Sequence, residues 1–325
     1  MTNATKVVYL DTKDWIELAR GYYEKSQGFQ KIAQIVVDKS GAGQAIFPLS
    51  IIHFSETVRN LNPARRRRLA EYMILVSHGW AILPAPTIIS PEIENACLEY
   101  MGLPPRYTLE NFVFKKGISQ LMGARGTLVA KNGTKVPPEL ERQILDKIES
   151  ADTLLWFMRR GLSSSHVIKG LKAAEDEAKK LEQIRQSFQS KFKDNDLLRR
   201  AILGDYLVYS IGPKLMPFLA SVHPNPKQFI YSVYKDRAEI IRFFQSMPTS
   251  YCNVQLTIFR DMQAMRKIQA NDLHDIMGLS IAIPYSDVVV TERMWHTAIK
   301  QTGLDKLYKT NVLKSAKDLT PILDS

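Results

Sequence analysis

The chain has 325 residues, 45% of them apolar, a formal net charge of +11 at pH 7 and two cysteines. Length and apolar content suit one large globular domain or two of ordinary size, and Cys97 and Cys252, far apart and outside any CxxC spacing, give no disulfide framework and no structural zinc site. The basic balance points to a polyanionic partner, nucleic acid ahead of an anionic membrane surface, while MTNATKVVYLDTKD lacks the basic and apolar segments of a leader and no long apolar run follows, so a cytoplasmic protein with no membrane partner is expected.

Val7-Val8-Tyr9-Leu10 is a β-type run that stops at Asp11, and Thr12 to Tyr23 carries helix spacing through Trp15, Leu18, Ala19 and Tyr22. The pattern is a strand, an acid at its carboxyl end, then a helix. Asp14, in the first turn of that helix, is expected to be an exposed acid favourable to the helix dipole. After Gly41-Ala42-Gly43, Ala45-Ile46-Phe47-Pro48 leads to Ser50, placed to cap a helix through Ile51, Ile52, Phe54 and Val58 that also carries Glu56. Pro63 to Val76 reads as a helix holding the Arg65 to Arg68 block, and Trp80 to Ile89 as a second strand interrupted by Pro84 and Pro86.

The texture changes over residues 91–250. Gly123 to Pro138 is a glycine-rich basic loop, and Glu139 to Arg160, Ser165 to Lys193, Leu197 to Ile211 and Pro226 to Met247 read as helices. In the second of these, Val167, Leu171, Ala174, Ala178, Leu181, Phe188 and Phe192 recur at helical steps, with Arg185 as an interruption. Such a narrow seam predicts a helical hairpin or projecting arm.

Beyond residue 250 the α/β pattern returns. From Asn271, NDLHDIMGLSIAIPY is apolar nearly all round, as an interior helix is. It carries Asp272, suited to cap it, and Asp275, whose ionised carboxylate on an apolar stripe is costly unless a cation or several donors face it. Val288-Val289-Val290 reads as a strand buried on both faces of a parallel sheet. Thr291 and Glu292 lie at its carboxyl end, where ligands of open parallel sheets gather. A helix to Gln301 and an edge strand around Asn311-Val312-Leu313 complete the chain. The fold class expected is α/β, with a discontinuous core over 1–90 plus 251–325 interrupted by an all-helical insertion over 91–250.

Asp11, Glu56, Asp275 and Glu292 come from separate segments and converge on one sheet edge, where carboxylates repel one another unless cations lie between them. Carboxylates without a His or Cys cluster suit hard ions such as Mg²⁺ or Mn²⁺. Such ions beside a basic surface point to phosphodiester chemistry, in which the metal activates a water and stabilises the leaving oxygen.

VYLDTKDW, SIIHFSETV, NDLHDIMGLSIAI and DVVVTE together resemble the acid pattern of the PIN-domain nucleases. That pattern is an apolar strand ending in Asp, a helix with Glu six residues after a Ser or Thr, a helix-borne Asp, and a final strand ending in Thr plus an acid. Order and spacing both agree: Glu56 is six residues after Ser50, and Thr291 is sixteen after Asp275. The resemblance covers 5–90 and 255–320. It implies a three-layer α/β/α core with a central parallel sheet, and a metal-dependent endoribonuclease that uses one or two Mg²⁺ or Mn²⁺ ions to leave a 5′-phosphate and a 3′-hydroxyl. A toxin or phage-defence effector with an antitoxin or defence-system protein as partner, or a homo-oligomer, is compatible with it.

Carried onto this chain, the resemblance makes Asp11, Glu56 and Asp275 the metal-binding acids and has Thr291 orient a water or a phosphate. The fourth acid departs from the family pattern: Arg293 stands where Asp is usual, and the acid is Glu292, one residue early. Asp287 is the alternative, and Asp272 an outer ligand. RNA is expected to meet Arg65, Arg66, Arg125, Lys131 and Arg293. A structure-specific DNase of the same fold, and a catalytically silent scaffold that binds RNA or a protein, stay open. His53 and His274 read as structural. No GxGxxG, GxxxxGK[ST] or GxSxG stands at a strand-to-helix junction, which leaves nucleotide-cofactor and serine-hydrolase chemistry without support.

Overall fold

In the computed structural model, which describes residues 5–26, 28–124, 127–129, 133–263 and 265–324, the two ends of the chain meet in one parallel sheet. The strands among the described residues are β1 (Lys6–Leu10), β2 (Ala45–Ile46), β3 (Trp80–Ile82), β4 (Phe114–Lys116), β5 (Val288–Val290) and β6 (Asn311–Leu313). Four of them lie parallel in the order β2-β1-β5-β6, with Leu10 level with Val290 and Val290 level with Leu313.

Alternation along the strands divides the apolar residues between two cores. Val8, Leu10, Val288 and Val290 pack with helices Thr12–Glu24, Gln30–Gly41 and Pro63–Ser77. Tyr9, Val289 and Val312 pack with helices Pro248–Asp261, Ala270–Tyr285 and Arg293–Thr302. An unbroken Val288–Val290 run is thus accounted for, because both of its faces are covered. The helix after β1 goes to one face and the helix after β5 to the other, so the chain parts between these two neighbouring strands, the topology at which open parallel sheets bind ligands at the carboxyl ends of their strands.

The stretch 91–250 differs from expectation in three ways. Only Trp80–Ile82 is strand in the predicted Trp80–Ile89 element: Pro84 stops it, and helix Ala85–Tyr100 runs straight through the expected boundary at residue 90. The insertion is not all helical, because β4 pairs antiparallel with β3, Trp80 opposite Lys116 and Ile82 opposite Phe114. Two of the expected long helices are broken by caps. Ser150 accepts from the Thr153 amide between Pro138–Ile148 and Ala151–Arg160, and Asp236 accepts from the Ala238 amide between Pro226–Tyr234 and Arg237–Gln245.

The expected boundary at 250 also falls inside a helix, Pro248–Asp261. Its Val254 and Ile258 pack with Ile93, Cys97, Leu207 and Phe244 of the insertion, while its Cys252 and Leu256 pack under the sheet. Asp14 is corrected as well: it is buried, and its Oδ1 accepts from the Ala316 amide at 2.7 Å, pinning the first helix to the turn Ala316–Leu319. No helix among the described residues is long and apolar enough to cross a membrane.

Gly278, one turn after Asp275, admits the neighbouring strand. A Cβ there would stand 2.5 Å from the Tyr9 hydroxyl oxygen, and Tyr9 is buried and stacked on His53 with ring centroids 5.1 Å apart. Gly278→Ala is therefore expected to destabilise the fold by about 1–3 kcal/mol through overpacking. Urea unfolding checks this, and an unchanged midpoint would mean that Tyr9 gives way without cost.

Candidate active site at the carboxyl edge of the sheet

Asp11 follows β1 directly, and its amide donates to the Val290 carbonyl at 3.0 Å. Thr291 follows β5, and its amide donates to Leu313 at 3.0 Å, so the two residues stand side by side where neighbouring strands end. Glu292 is the residue that opens helix Arg293–Thr302. Glu56 rides on helix Ile51–Arg59, whose start is fixed by a reciprocal cap between Ser50 and His53. Asp275 lies in the second turn of Ala270–Tyr285. All four acids are half-buried, keeping some exposure at the edge.

The proton affinities of Asp275 and Asp11 show that the four share one neighbourhood. Burial, then repulsion from Asp11 and lesser repulsion from Glu292 and Glu56, pushes Asp275 up to about 8, against a hydrogen bond from Trp295 Nε1 at 2.8 Å that favours the carboxylate. Burial, then repulsion from Glu56 and Glu292, raises Asp11 to about 6, with the amides of Lys13 and Thr12 pulling the other way. Glu56 is raised by burial, opposed by the Thr12 hydroxyl and the Arg59 guanidinium. Acids raised by burial and by neighbouring carboxylates, as Asp11 and Asp275 are, mark a site that favours protons or a cation.

The donor set fits Mg²⁺ or Mn²⁺ by type, since every candidate ligand atom is an oxygen. Thr291 adds to the fit: it is fully buried, and its hydroxyl oxygen has no hydrogen-bond partner among the described residues, an orphan of the kind that a water or a phosphate oxygen satisfies. The spacing is less closed than the donor type. No group of three or more His, Cys, Asp or Glu among the described residues is arranged to hold a metal ion. The carboxylates supply a neighbourhood rather than a finished coordination shell.

Several other sequence candidates turn out to be occupied. Asp287 Oδ2 accepts from the Val7 amide at 2.7 Å, at the opposite end of the strands, so Glu292 is the fourth acid at this edge. Asp272 is almost fully buried, and its oxygens accept from both terminal nitrogens of Arg266 at 2.6 and 2.7 Å and from the Gln269 amide at 2.8 Å. It caps its own helix, which takes it out of the set of free outer ligands. Arg66 donates to the carbonyls of Asn60, Arg159 and Arg160, so it locks two helix ends together instead of waiting for a phosphate.

Arg65 is exposed on a groove of about 320 Å³ shared with Arg20, Glu24, Asn60 and Arg68. Arg293 is exposed next to Glu292, while Arg125 and Lys131 lie outside the described residues. His53 is structural: its Nδ1 accepts from the Ser50 amide, and burial lowers its pKa to about 3. His274 is lowered by burial and by Arg59.

Three residues that sequence reasoning missed complete the setting. Trp295 holds Asp275 through its indole nitrogen. Arg59 lies close enough to favour the charged form of Glu56. Arg266, beyond its pair with Asp272, feels both Glu292 and Asp275. The position of Arg266 depends on the insertion, because the buried Arg185 donates to the carbonyls of Gln263 and Arg266 at 3.2 and 2.7 Å and pairs with Glu182 at 2.5 Å. Glu182 in turn accepts from the Ile268 amide at 3.0 Å. The charged interruption of the apolar seam was the available signal that Arg185 has a buried partner, but nothing in the sequence names Arg266.

Compared with known proteins, the chain matches no family model, no curated protein and no solved structure. Its functional reading therefore rests on the residues themselves. Asp275 holds its proton more tightly in the folded than in the unfolded chain, so it favours folding at low pH, and that contribution is lost as pH rises from the ordinary carboxylate range through about 8. In a buffer with chelator, Asp275→Asn should raise the melting temperature at pH above 8 by about 2–4 °C. The gain should vanish on acidification below the ordinary carboxylate pKa. Melting curves followed by circular dichroism across pH check this, and a gain independent of pH would contradict the repulsion described above.

Proposed function

We propose that this chain is a metal-dependent endoribonuclease with a three-layer, PIN-like core. The observation that carries the reading is the gathering of Asp11, Glu56, Asp275 and Glu292 at the carboxyl edge of the parallel sheet, where Thr291 has a buried hydroxyl without a partner among the described residues. In this reading the four carboxylates hold one or two Mg²⁺ or Mn²⁺ ions, which when bound supply Lewis acidity and an activated water for in-line attack at phosphorus, leaving a 5′-phosphate and a 3′-hydroxyl.

The chain's own groups do the positioning. Trp295 fixes the orientation of Asp275 through the bond to its Oδ2. The Thr291 hydroxyl orients a water or a phosphate oxygen at the strand end. Arg293, exposed beside Glu292, meets the backbone as it enters, and the net charge of +11 draws a polyanion toward the edge. RNA is preferred over DNA on the strength of the PIN resemblance, with an antitoxin-like or defence-system protein as a regulatory partner.

A second reading, a silent scaffold of the same fold that binds RNA or a protein, is favoured by one observation: the acids are not arranged as a ready metal group among the described residues. The two readings part in one assay. Labelled single-stranded RNA, structured RNA and DNA are incubated with the purified chain in Mn²⁺, Mg²⁺ or EDTA. RNA cleavage that needs metal and falls about a hundredfold in both Asp11→Asn and Asp275→Asn is expected, at the upper end of what loss of a group at a metal site costs. Cleavage that survives EDTA or both substitutions overturns the metal mechanism. Binding without cleavage supports the scaffold, and cleavage of DNA alone supports the DNase.

A further inference from the structure

Helix Ala151–Arg160 is built to face outward beside the Glu56 helix. Its inner side, Leu154 and Met158, is fully buried in the core that lies against β1 and β5. Its carboxyl end abuts the end of the Glu56 helix: the Leu162 amide donates to the Val58 carbonyl at 2.9 Å, and Arg66 ties the Arg159 carbonyl to the same corner. Its outer side is unusual. Trp156 is 53% exposed and Phe157 39%, with their rings edge to face and centroids 4.9 Å apart.

Exposed tryptophan is not the habit of this chain. Trp15 and Trp295 are fully buried, and Trp80 carries the Lys116 ammonium over its ring. Trp156 instead carries the guanidinium of Arg160, 5.2 Å from its centroid. Neighbouring Arg159 is paired with Glu71, but no carboxylate pairs with Arg160 among the described residues. Toward the acids, Leu162 is 44% exposed. Arg59, the last residue of the Glu56 helix, is also without a paired carboxylate among the described residues, and its Nη2 lies 3.9 Å from where a Cβ on Gly170 would stand.

From the acid edge outward the surface therefore reads cation, apolar, cation, aromatic, aromatic: Arg59, Leu162, Arg160, Trp156 and Phe157. Trp, Phe and Arg are enriched where proteins meet as well, but there a core depleted of charge is surrounded by a polar rim. Here unpaired guanidiniums are interleaved with the flat faces, which is the composition that stacks unpaired bases while neutralising the phosphates between them. A duplex cannot use such a surface, because its bases are already stacked on one another.

We propose that Trp156 and Phe157, with Arg160 and Arg59, form a stacking platform for the unpaired bases of an RNA strand whose backbone continues to the acid edge, so that the substrate is single-stranded. The inference rests on the nuclease reading for what happens at that edge but not for the binding itself.

The test uses the full chain carrying Asp11→Asn, a fluorescein-labelled unstructured RNA of about twelve nucleotides, within the span that single-strand sites cover, and a duplex of the same length, with binding read by anisotropy. Trp156→Leu is expected to weaken binding of the single strand about tenfold, Trp156→Phe to restore most of it, and neither to alter duplex binding. Quenching of tryptophan fluorescence by the RNA in the parent, lost in Trp156→Phe, gives a second readout should the leucine variant not fold. Single-strand binding within about twofold of the parent in Trp156→Leu, or no quenching in the parent, overturns the platform. So does a change of oligomeric state in Trp156→Leu with RNA affinity intact, which would make this face a contact between copies. Cleavage by the unsubstituted chain is measured alongside. Cleavage with Trp156-independent binding sinks the platform and keeps the nuclease, whereas Trp156-dependent binding without cleavage does the reverse.

Discussion

Repulsion among four half-buried carboxylates is the constraint to which the rest of the fold answers. Glu56 and Glu292 stand close enough to raise the proton affinity of Asp11 and Asp275, Asp11 raises Asp275 further, and a cluster of this kind cannot be fully ionised without compensation. Compensation is built around it in layers. The amides of Lys13 and Thr12 turn toward Asp11, the Trp295 indole toward Asp275, and the Arg59 guanidinium stands near Glu56. None of these is a full counter-ion. The Asp272–Arg266 pair is complete, and it lies one helical turn away from Asp275, where it closes the helix start instead of quenching the cluster. The residual imbalance is local, and it sits where the sheet opens to solvent.

The stretch over 91–250 is part of that arrangement rather than an appendage to it. Arg185 and Glu182 hold the turn that carries Arg266, and helix Pro248–Asp261 contributes side chains to the insertion's core and to the core under the sheet. A buried arginine paired with a half-buried glutamate is a weak source of stability, and what it fixes is one arrangement of the chain around it. Arg185 does so through Nη1, which donates to two backbone carbonyls, and Nη2, which meets Glu182, while its buried Nε has no partner among the described residues. Helix Ala151–Arg160 serves the same integration from the other side, since its buried face completes the core beneath β1.

Much of the sheet edge was legible in the sequence because strands announce themselves by apolar runs and their ends by a polar residue. Val288-Val289-Val290 followed by Thr291, and Tyr9-Leu10 followed by Asp11, are signals of that kind, and Asn311–Leu313 falls at the sheet edge as expected. What failed were inferences from side-chain type without a partner. Asp14 reads as a solvent-facing first-turn acid until the Ala316 amide, three hundred residues on, is brought to it. Arg66 reads as one of four surface cations, and only the fold shows that its reach ends on three carbonyls. Trp80–Ile89 looked like one strand because Thr87, Ile88 and Ile89 have strand propensity, which packing in helix Ala85–Tyr100 overrides. The Asp272–Arg266 pair spans six residues and still gave no sign, since a loop closing on itself has no period.

The pairing of β1 with β5 also sets an order in time. β1 is made before β5, and until Val288–Val290 follows, the edge of β1 that pairs with it has no backbone to bond to, a state prone to unwanted pairing. Thr291, Glu292 and the Trp295 indole follow β5 and so are made long after Asp11 and Glu56. A chain not yet made as far as β5 therefore already owns Asp11 and Glu56 but no site, so whatever the acid edge does is withheld until β5 and the residues after it are made.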